Sequence, residues 1–231
     1  MHYDKHDPTA YSNAMGRYRT RNQLRFIGQH LHGEGLRILD IGGGNGRLAV
    51  PLADRGHQVT VVDESELAVR LLSEENHPRI RCVHSDITTY RTDNPFDMAL
   101  AVDCVKHMTR ATRAELFAHF NTLLAPKGMF ILVEINTGSW RYGVTRMLKR
   151  ACAYNIDTYR GYVTALGRAG FEIAGARGSR WMPFTFNSNS PFVGVFSRIE
   201  DALKLDRWVS QSPWVLIAAR KGGNSGVRLA Y

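Results

Sequence analysis

Residues 38–63, ILDIGGGNGRLAVPLADRGHQVTVVD, compress a strand, a glycine turn, a helix and a second strand into one short run. RILDI is short and apolar, RLAVPLADRG has helical spacing and stops at Gly56, and QVTVVD alternates into a strand closed by Asp63. A helix lying between two strands carries the chain back to the edge it left, so the strands run parallel. A parallel sheet in turn needs helices on both faces. The alternation continues downstream. ESELAVRLLSEEN reads as a helix, IRCVHSD as a third strand, FDMALAVD as a fourth, RAELFAHFNTLLAPKG as a helix with a Pro-Lys-Gly stop, and MFILVEIN as a fifth strand. Upstream, RYRTRNQLRFIGQHL (17–31) spaces Tyr18, Leu24, Ile27 and Leu31 as a helix does.

After Asn136 the regularity weakens. Residues 137–156 form a basic and aromatic insertion; TYRGYVTALGRAG reads as a helix, and FEIAGARGSRW and SPWVLIAARK as strands. Between those strands runs a long connection with one helix expected around Ile199 to Val209. At 231 residues and 44% hydrophobic content, the chain fits one sizeable domain spanning 1–221, with a flexible tail at 222–231.

No run approaches the roughly 20 apolar residues of a membrane-spanning helix, and MHYDKHDPTAY is polar, so a cytoplasmic location is expected. Cys82, Cys104 and Cys152 are odd in number and far apart, which indicates neither a disulfide framework nor a metal site. Thirty Lys and Arg against 21 Asp and Glu leave a formal charge of +9, which attracts phosphates, acidic lipids or anionic small molecules without choosing among them.

Glycine-rich turns after a strand serve nucleoside triphosphates, dinucleotides and S-adenosylmethionine. A triphosphate loop needs Lys followed by Ser or Thr after its last glycine, whereas Gly46 is followed by Arg47 and Leu48. The dinucleotide pattern wants a glycine where Arg47 stands. What remains is Asp40-x-Gly42-x-Gly44-x-Gly46. Glycines remove the Cβ atoms that would meet a bulky nucleoside. An acid two positions earlier suits a cationic ammonium and sulfonium and would repel a pyrophosphate.

On these residues the chain resembles the class I S-adenosylmethionine-dependent methyltransferases, over about 17–136 and again from Gly170 to Lys221. The resemblance implies an α/β, Rossmann-like doubly wound sheet of seven strands in the order 3-2-1-4-5-7-6, the last antiparallel. It assigns the cofactor to Asp40 and the loop Gly42, Gly43, Gly44, Asn45 and Gly46, to Asp63 with Glu64 for the ribose, to Asp86 and Ile87 for the adenine, and to Asp103. Tyr11, Tyr18 and Arg25 are expected in a covering segment, where aromatic faces suit a sulfonium and Arg25 alternatively pairs with the methionyl carboxylate. Asp103 and His107 in AVDCVKHM are the catalytic candidates, His107 as a base if the acceptor is a hydroxyl.

The product partner is S-adenosylhomocysteine and the acceptor a small molecule, methylated on a hydroxyl, amine or carbon. RNA is a second reading, because Arg141, Arg146, Lys149 and Arg150 cluster in the insertion, although a helical lid over the pocket explains them equally. Base-amine methylation lacks its Asn/Asp-Pro-Pro-aromatic element after the fourth strand. A third reading is a non-catalytic S-adenosylmethionine binder. Trp140, Tyr142, Tyr154, Tyr159, Trp181, Phe184 and Phe186 are candidates for an apolar substrate pocket in the parts outside the resemblance, 137–165 and 182–212.

Overall fold

The computed structural model describes residues 12–108, 111–143, 155–185 and 188–222. Its strands are β1 (Arg37–Ile41), β2 (Gln58–Asp63), β3 (Ile80–His84), β4 (Phe96–Val102), β5 (Leu124–Ile135), β6 (Phe171–Ser179) and β7 (Trp214–Lys221). They form one sheet in the order β3-β2-β1-β4-β5-β7-β6. All neighbours from β3 to β5 pair in parallel, and β7 runs antiparallel to both β5 and β6. The helices are α1 (Ala14–Gly28), α2 (Ala49–Asp54), α3 (Glu66–Glu74), α4 (Arg113–Thr122), α5 (Tyr159–Arg168) and α6 (Val193–Ala202). The expected α/β sheet, its strand order and its antiparallel last strand are all present.

The period of two along each strand divides the core. On β1, Ile38 packs to one side with Phe26, Leu52 and Leu100, while Leu39 and Ile41 pack to the other with Phe117, Phe120 and Tyr162. On β5, Ile131 and Val133 join the first group and Phe130 and Leu132 the second. Phe130 lies 5.8 Å from Phe117 and 5.6 Å from Phe120, ring centre to ring centre. The helices start where polar caps permit. Asn13 accepts from the Gly16 amide at α1 (2.7 Å), Ser65 from Ala68 at α3, and Thr112 with Glu115 closes a capping box at α4.

Two boundaries differ from the sequence reading. The helix expected over 113–128 stops at Thr122, because Leu123 and Leu124 turn inward and the Leu123 carbonyl accepts from Phe96 N at 2.9 Å. Strand β5 therefore begins before the Pro-Lys-Gly sequence, which it absorbs as an irregularity with Lys127 at φ 63°. The helix expected at 199–209 lies earlier, at Val193–Ala202. Its buried residues Val193 and Ser197 are one turn apart, and the left-handed Lys204 (φ 50°) breaks the chain into short 3₁₀ turns. Arg146, Lys149, Arg150, Cys152, Tyr154 and Phe186 fall outside the described residues, as do Tyr11 and the tail after Gly222.

Candidate cofactor and active site

The carboxyl ends of the five parallel strands each carry one acid: Asp40 on β1, Asp63 on β2, Asp86 just past β3, Asp103 just past β4, and Glu134 on β5. Open α/β sheets bind ligands at this edge. The glycine loop crosses it between β1 and α2. Gly42, Gly44 and Gly46 all have positive φ (64°, 54° and 75°), where a side chain is strained. A Cβ at Gly42 would lie 2.8 Å from the Cβ of Cys104, one at Gly43 2.7 Å from the Asp40 carboxyl, and one at Gly46 2.5 Å from Leu72. The sequence reading gave these glycines to the ligand. The structure shows that at three of the four the fold's own packing excludes a side chain.

Asp63 ties the loop to β2. Its Oδ2 accepts from the Gly44 amide at 2.9 Å and its Oδ1 from Ser65 N at 2.8 Å. A carboxylate has about four lone-pair positions, so two such bonds leave capacity for a diol. Glu64, next in sequence, is exposed, and its carbonyl faces the His84 ring at 3.1 Å. Asp86 accepts from the amide and hydroxyl of Thr88 (2.8 and 2.7 Å) in a tight turn, while Ile87 is buried in the core with Ile41 and Val62.

Asp40 is the acid the loop encloses. It lines a cavity of about 50 Å³ with Gly42, Gly43, Asn45, Arg47 and Val102. Burial pushes its pKa up from 3.8 to about 7, with Asp63 adding to the rise and Arg47 opposing it. A carboxyl raised in this way binds a proton in the folded chain that the unfolded chain has already lost. Its contribution to stability therefore falls as pH rises from about 4 to about 7 and is constant above. The stability of wild type relative to Asp40→Asn, which has no such proton, should decline across that window by on the order of 4 kcal/mol. Urea midpoints at several pH values measure this, and a difference independent of pH would show Asp40 ionised throughout.

These features agree with the comparisons made with known proteins. Residues 38–128, which run from β1 into β5, match the family model described as "Methyltransferase domain". That stretch holds the glycine loop and four of the five strand-end acids, Asp40, Asp63, Asp86 and Asp103. Ubiquinone biosynthesis O-methyltransferases are similar to it: that of Rickettsia akari (strain Hartford) is 29% identical over 114 residues, 47% of this chain and 44% of the relative. That of Caulobacter sp. (strain K31) is 33% identical over 108 residues, 45% of this chain and 42% of the relative. The chain thus spans less than half the length of these relatives. Among solved structures, magnesium protoporphyrin IX methyltransferase from Synechocystis PCC 6803 with bound S-adenosylhomocysteine has the same fold, at a TM-score of 0.66 and 16% identity, covering 90% of this chain and 84% of that one.

Along this edge charges gather most closely at the end of β4. The chain leaves the strand through Asp103 in a left-handed conformation (φ 65°), which Asp tolerates better than most residues, and enters a 3₁₀ turn, Val105–His107. Asp103 accepts from both Arg19 of α1 and Lys106. Burial alone would raise its pKa; Lys106 and Arg19 overcome that and hold it below the ordinary carboxylate range. Among the described residues, Arg180 at 4.7 Å, Lys106 at 5.0 Å and Arg19 at 5.8 Å stand over the Trp214 ring. Glu134 is fully buried and accepts from Lys106 N at 3.2 Å, and burial raises its pKa to about 7. His107 is half-buried. Burial lowers its pKa, Lys106 lowers it further, and Asp103 works against both. The Cys104 thiol is pushed well up by burial and by Glu134, so it stays protonated beside Gly42.

Tyr18 and Arg25 are placed elsewhere. Tyr18 is buried between α1 and α6, where its hydroxyl donates to Glu200, and burial raises its pKa. Arg25 makes an exposed pair with Asp201 at 3.4 Å. Both line a crevice with Trp181 away from the glycine loop. Instead it is Arg47 that joins α1 to the loop, donating to Thr20 at 3.0 Å and Gln23 at 2.6 Å. Among the aromatic candidates, Trp140 is largely exposed and Phe184 packs edge-on against Phe196 at 5.3 Å.

Proposed function

We propose that the chain binds S-adenosylmethionine at the carboxyl edge and transfers its methyl group to a small molecule, with a hydroxyl as the favoured acceptor. The observation that carries this is the pairing of the glycine loop with one acid per strand end, above all Asp63 fastened to Gly44. The residues fit the group: Asp63 keeps acceptor capacity for the ribose hydroxyls, Asp86 stands one strand further out for the adenine amine, and Asp40 offers its carboxyl to the cationic tail. S-adenosylmethionine supplies a methyl already activated on a sulfonium. Around it this chain's residues position and deprotonate the acceptor. His107, neutral at pH 7 by the direction of its shift, is suited to take the hydroxyl proton, and Lys106 and Arg19 favour the negative charge left on oxygen.

The cavity at Asp40, about 50 Å³, is far below the roughly 300 Å³ or more that a ligand of this size fills. Binding on this reading requires Arg47 to leave Thr20 and Gln23, so that α1 acts as the cover. The cytoplasm remains the proposed location; both cysteines among the described residues are free thiols, and no described helix is long and apolar enough to cross a membrane.

The test incubates the full chain with methyl-labelled S-adenosylmethionine and a metabolite extract, and follows label transfer and S-adenosylhomocysteine by mass spectrometry. Label in a hydroxyl-bearing metabolite is expected. Label in RNA alone would replace this reading with the nucleic-acid one, and binding with no S-adenosylhomocysteine formed would leave a non-catalytic binder.

A further inference from the structure

A groove of about 700 Å³ runs along the outer face of α1, apart from the cavity at Asp40. Among the described residues, five arginines line it, Arg17, Arg21 and Arg25 from α1, Arg47 from the glycine loop's exit and Arg55 from the end of α2, and Leu24 is the one large apolar side chain. Among the described residues no acidic or aromatic side chain is part of the lining. Arg17, Arg21 and Arg25 follow one another at four-residue intervals, about 6 Å apart along the helix axis. Like charges at that spacing destabilise a helix by a few tenths of a kcal/mol each, and α1 holds no acid of its own to offset them. The side chains are nonetheless anchored: Arg17 donates to the Ser12 carbonyl, Arg21 to Ser197 at 3.2 Å, and Arg47 to Thr20 and Gln23.

The chemistry of the lining selects the ligand. Guanidinium forks match pairs of phosphate oxygens, and a concavity of this size accommodates a small molecule. Binding single-stranded nucleic acid normally adds aromatic platforms for the bases, which this lining lacks. A membrane-docking face needs several bulky apolar residues, and Leu24 stands alone here. We propose that the groove is a binding site for a small, multiply charged oxyanion of the di- or triphosphate class. Arg47 also lines the cavity at Asp40, so the ligand's inner end lies beside the glycine loop. The assignment stands independently of methyl transfer.

Calorimetric titration of sodium tripolyphosphate into the full chain at low ionic strength should show one site per chain. The double variant Arg21→Gln/Arg55→Gln should bind about tenfold or more weakly, the scale of losing charge-assisted hydrogen bonds from both walls. The control is Arg160→Gln/Arg168→Gln, which removes the same charge from exposed positions on α5 and should bind as wild type does. All four positions are exposed, so both variants should melt as wild type does. Equal losses in the two variants would reduce the effect to net charge and overturn the site, as would absence of binding by wild type. A short single-stranded oligonucleotide or phosphatidylglycerol vesicles that displaced tripolyphosphate, and bound more tightly with the same dependence on Arg21 and Arg55, would overturn the small-ligand assignment.

Discussion

Replacing Arg19 by methionine is expected to destabilise the domain by about 3 kcal/mol, the lower end of the range for breaking a buried ion pair. Methionine preserves most of the volume, so the loss is electrostatic. The Arg19 side chain is 2% exposed and that of Asp103 12%, so neither recovers its hydration when the other is removed. Lys106 still compensates Asp103 in the variant, which is why the lower figure applies. Urea denaturation should show a lower midpoint with an unchanged slope. Because Arg19 acts through Asp103, the double variant Arg19→Met/Asp103→Asn should lose clearly less than the two single variants together. Additive losses would mean that Arg19 stabilises α1 by some other contact, such as its position over Trp214.

His107→Ala should lower turnover on a hydroxyl acceptor by about 10²-fold, the usual worth of a positioned base, with cofactor affinity nearly unchanged. The pH profile supplies a second signature. Burial and Lys106 both lower the His107 pKa, so in wild type the rate should rise with pH to a plateau, with its midpoint below the ordinary imidazole value of 6.5. The variant should lose that limb of the profile. On an amine or carbon nucleophile that needs no deprotonation the loss should be much smaller, because alignment of the acceptor supplies most of the acceleration. A normal rate on a confirmed hydroxyl substrate would remove His107 from the chemistry.

The architecture was largely legible because its signals are local. Alternating strands and helices, a glycine turn and acids at strand ends each occupy a few consecutive residues, and they pointed to a parallel sheet with Asp40, Asp63, Asp86 and Asp103 at one edge; the strand order and the antiparallel last strand came with the family resemblance. The fifth acid was also visible in principle, since Glu134 interrupts the continuous apolar run MFILVEI, where a charge without a role would be costly. The charged cluster was not legible. Arg19, Lys106, Arg180 and Trp214 come from α1, the turn after β4, the end of β6 and β7, and only tertiary packing brings them around Asp103. The partner of Tyr18 was hidden for a related reason: a helical pattern shows which residues share a face but not what that face meets, and here it meets Glu200 on α6. The glycines' packing role was not legible, because a motif cannot tell a ligand's atoms from Cys104 or Leu72.

The central claim, that the acids and glycines at the carboxyl edge hold S-adenosylmethionine, is tested most directly at Asp63. Calorimetric titration of S-adenosylmethionine into wild type and Asp63→Asn should give one site in wild type and an affinity lower by about 1.5 to 3 kcal/mol in the variant, the scale of hydrogen bonds to a charged group. Asparagine retains an oxygen for the Gly44 amide, so the loop keeps its tie to β2 and the loss reports on the ligand. Equal affinity in the two proteins, or no binding by wild type, would contradict the account.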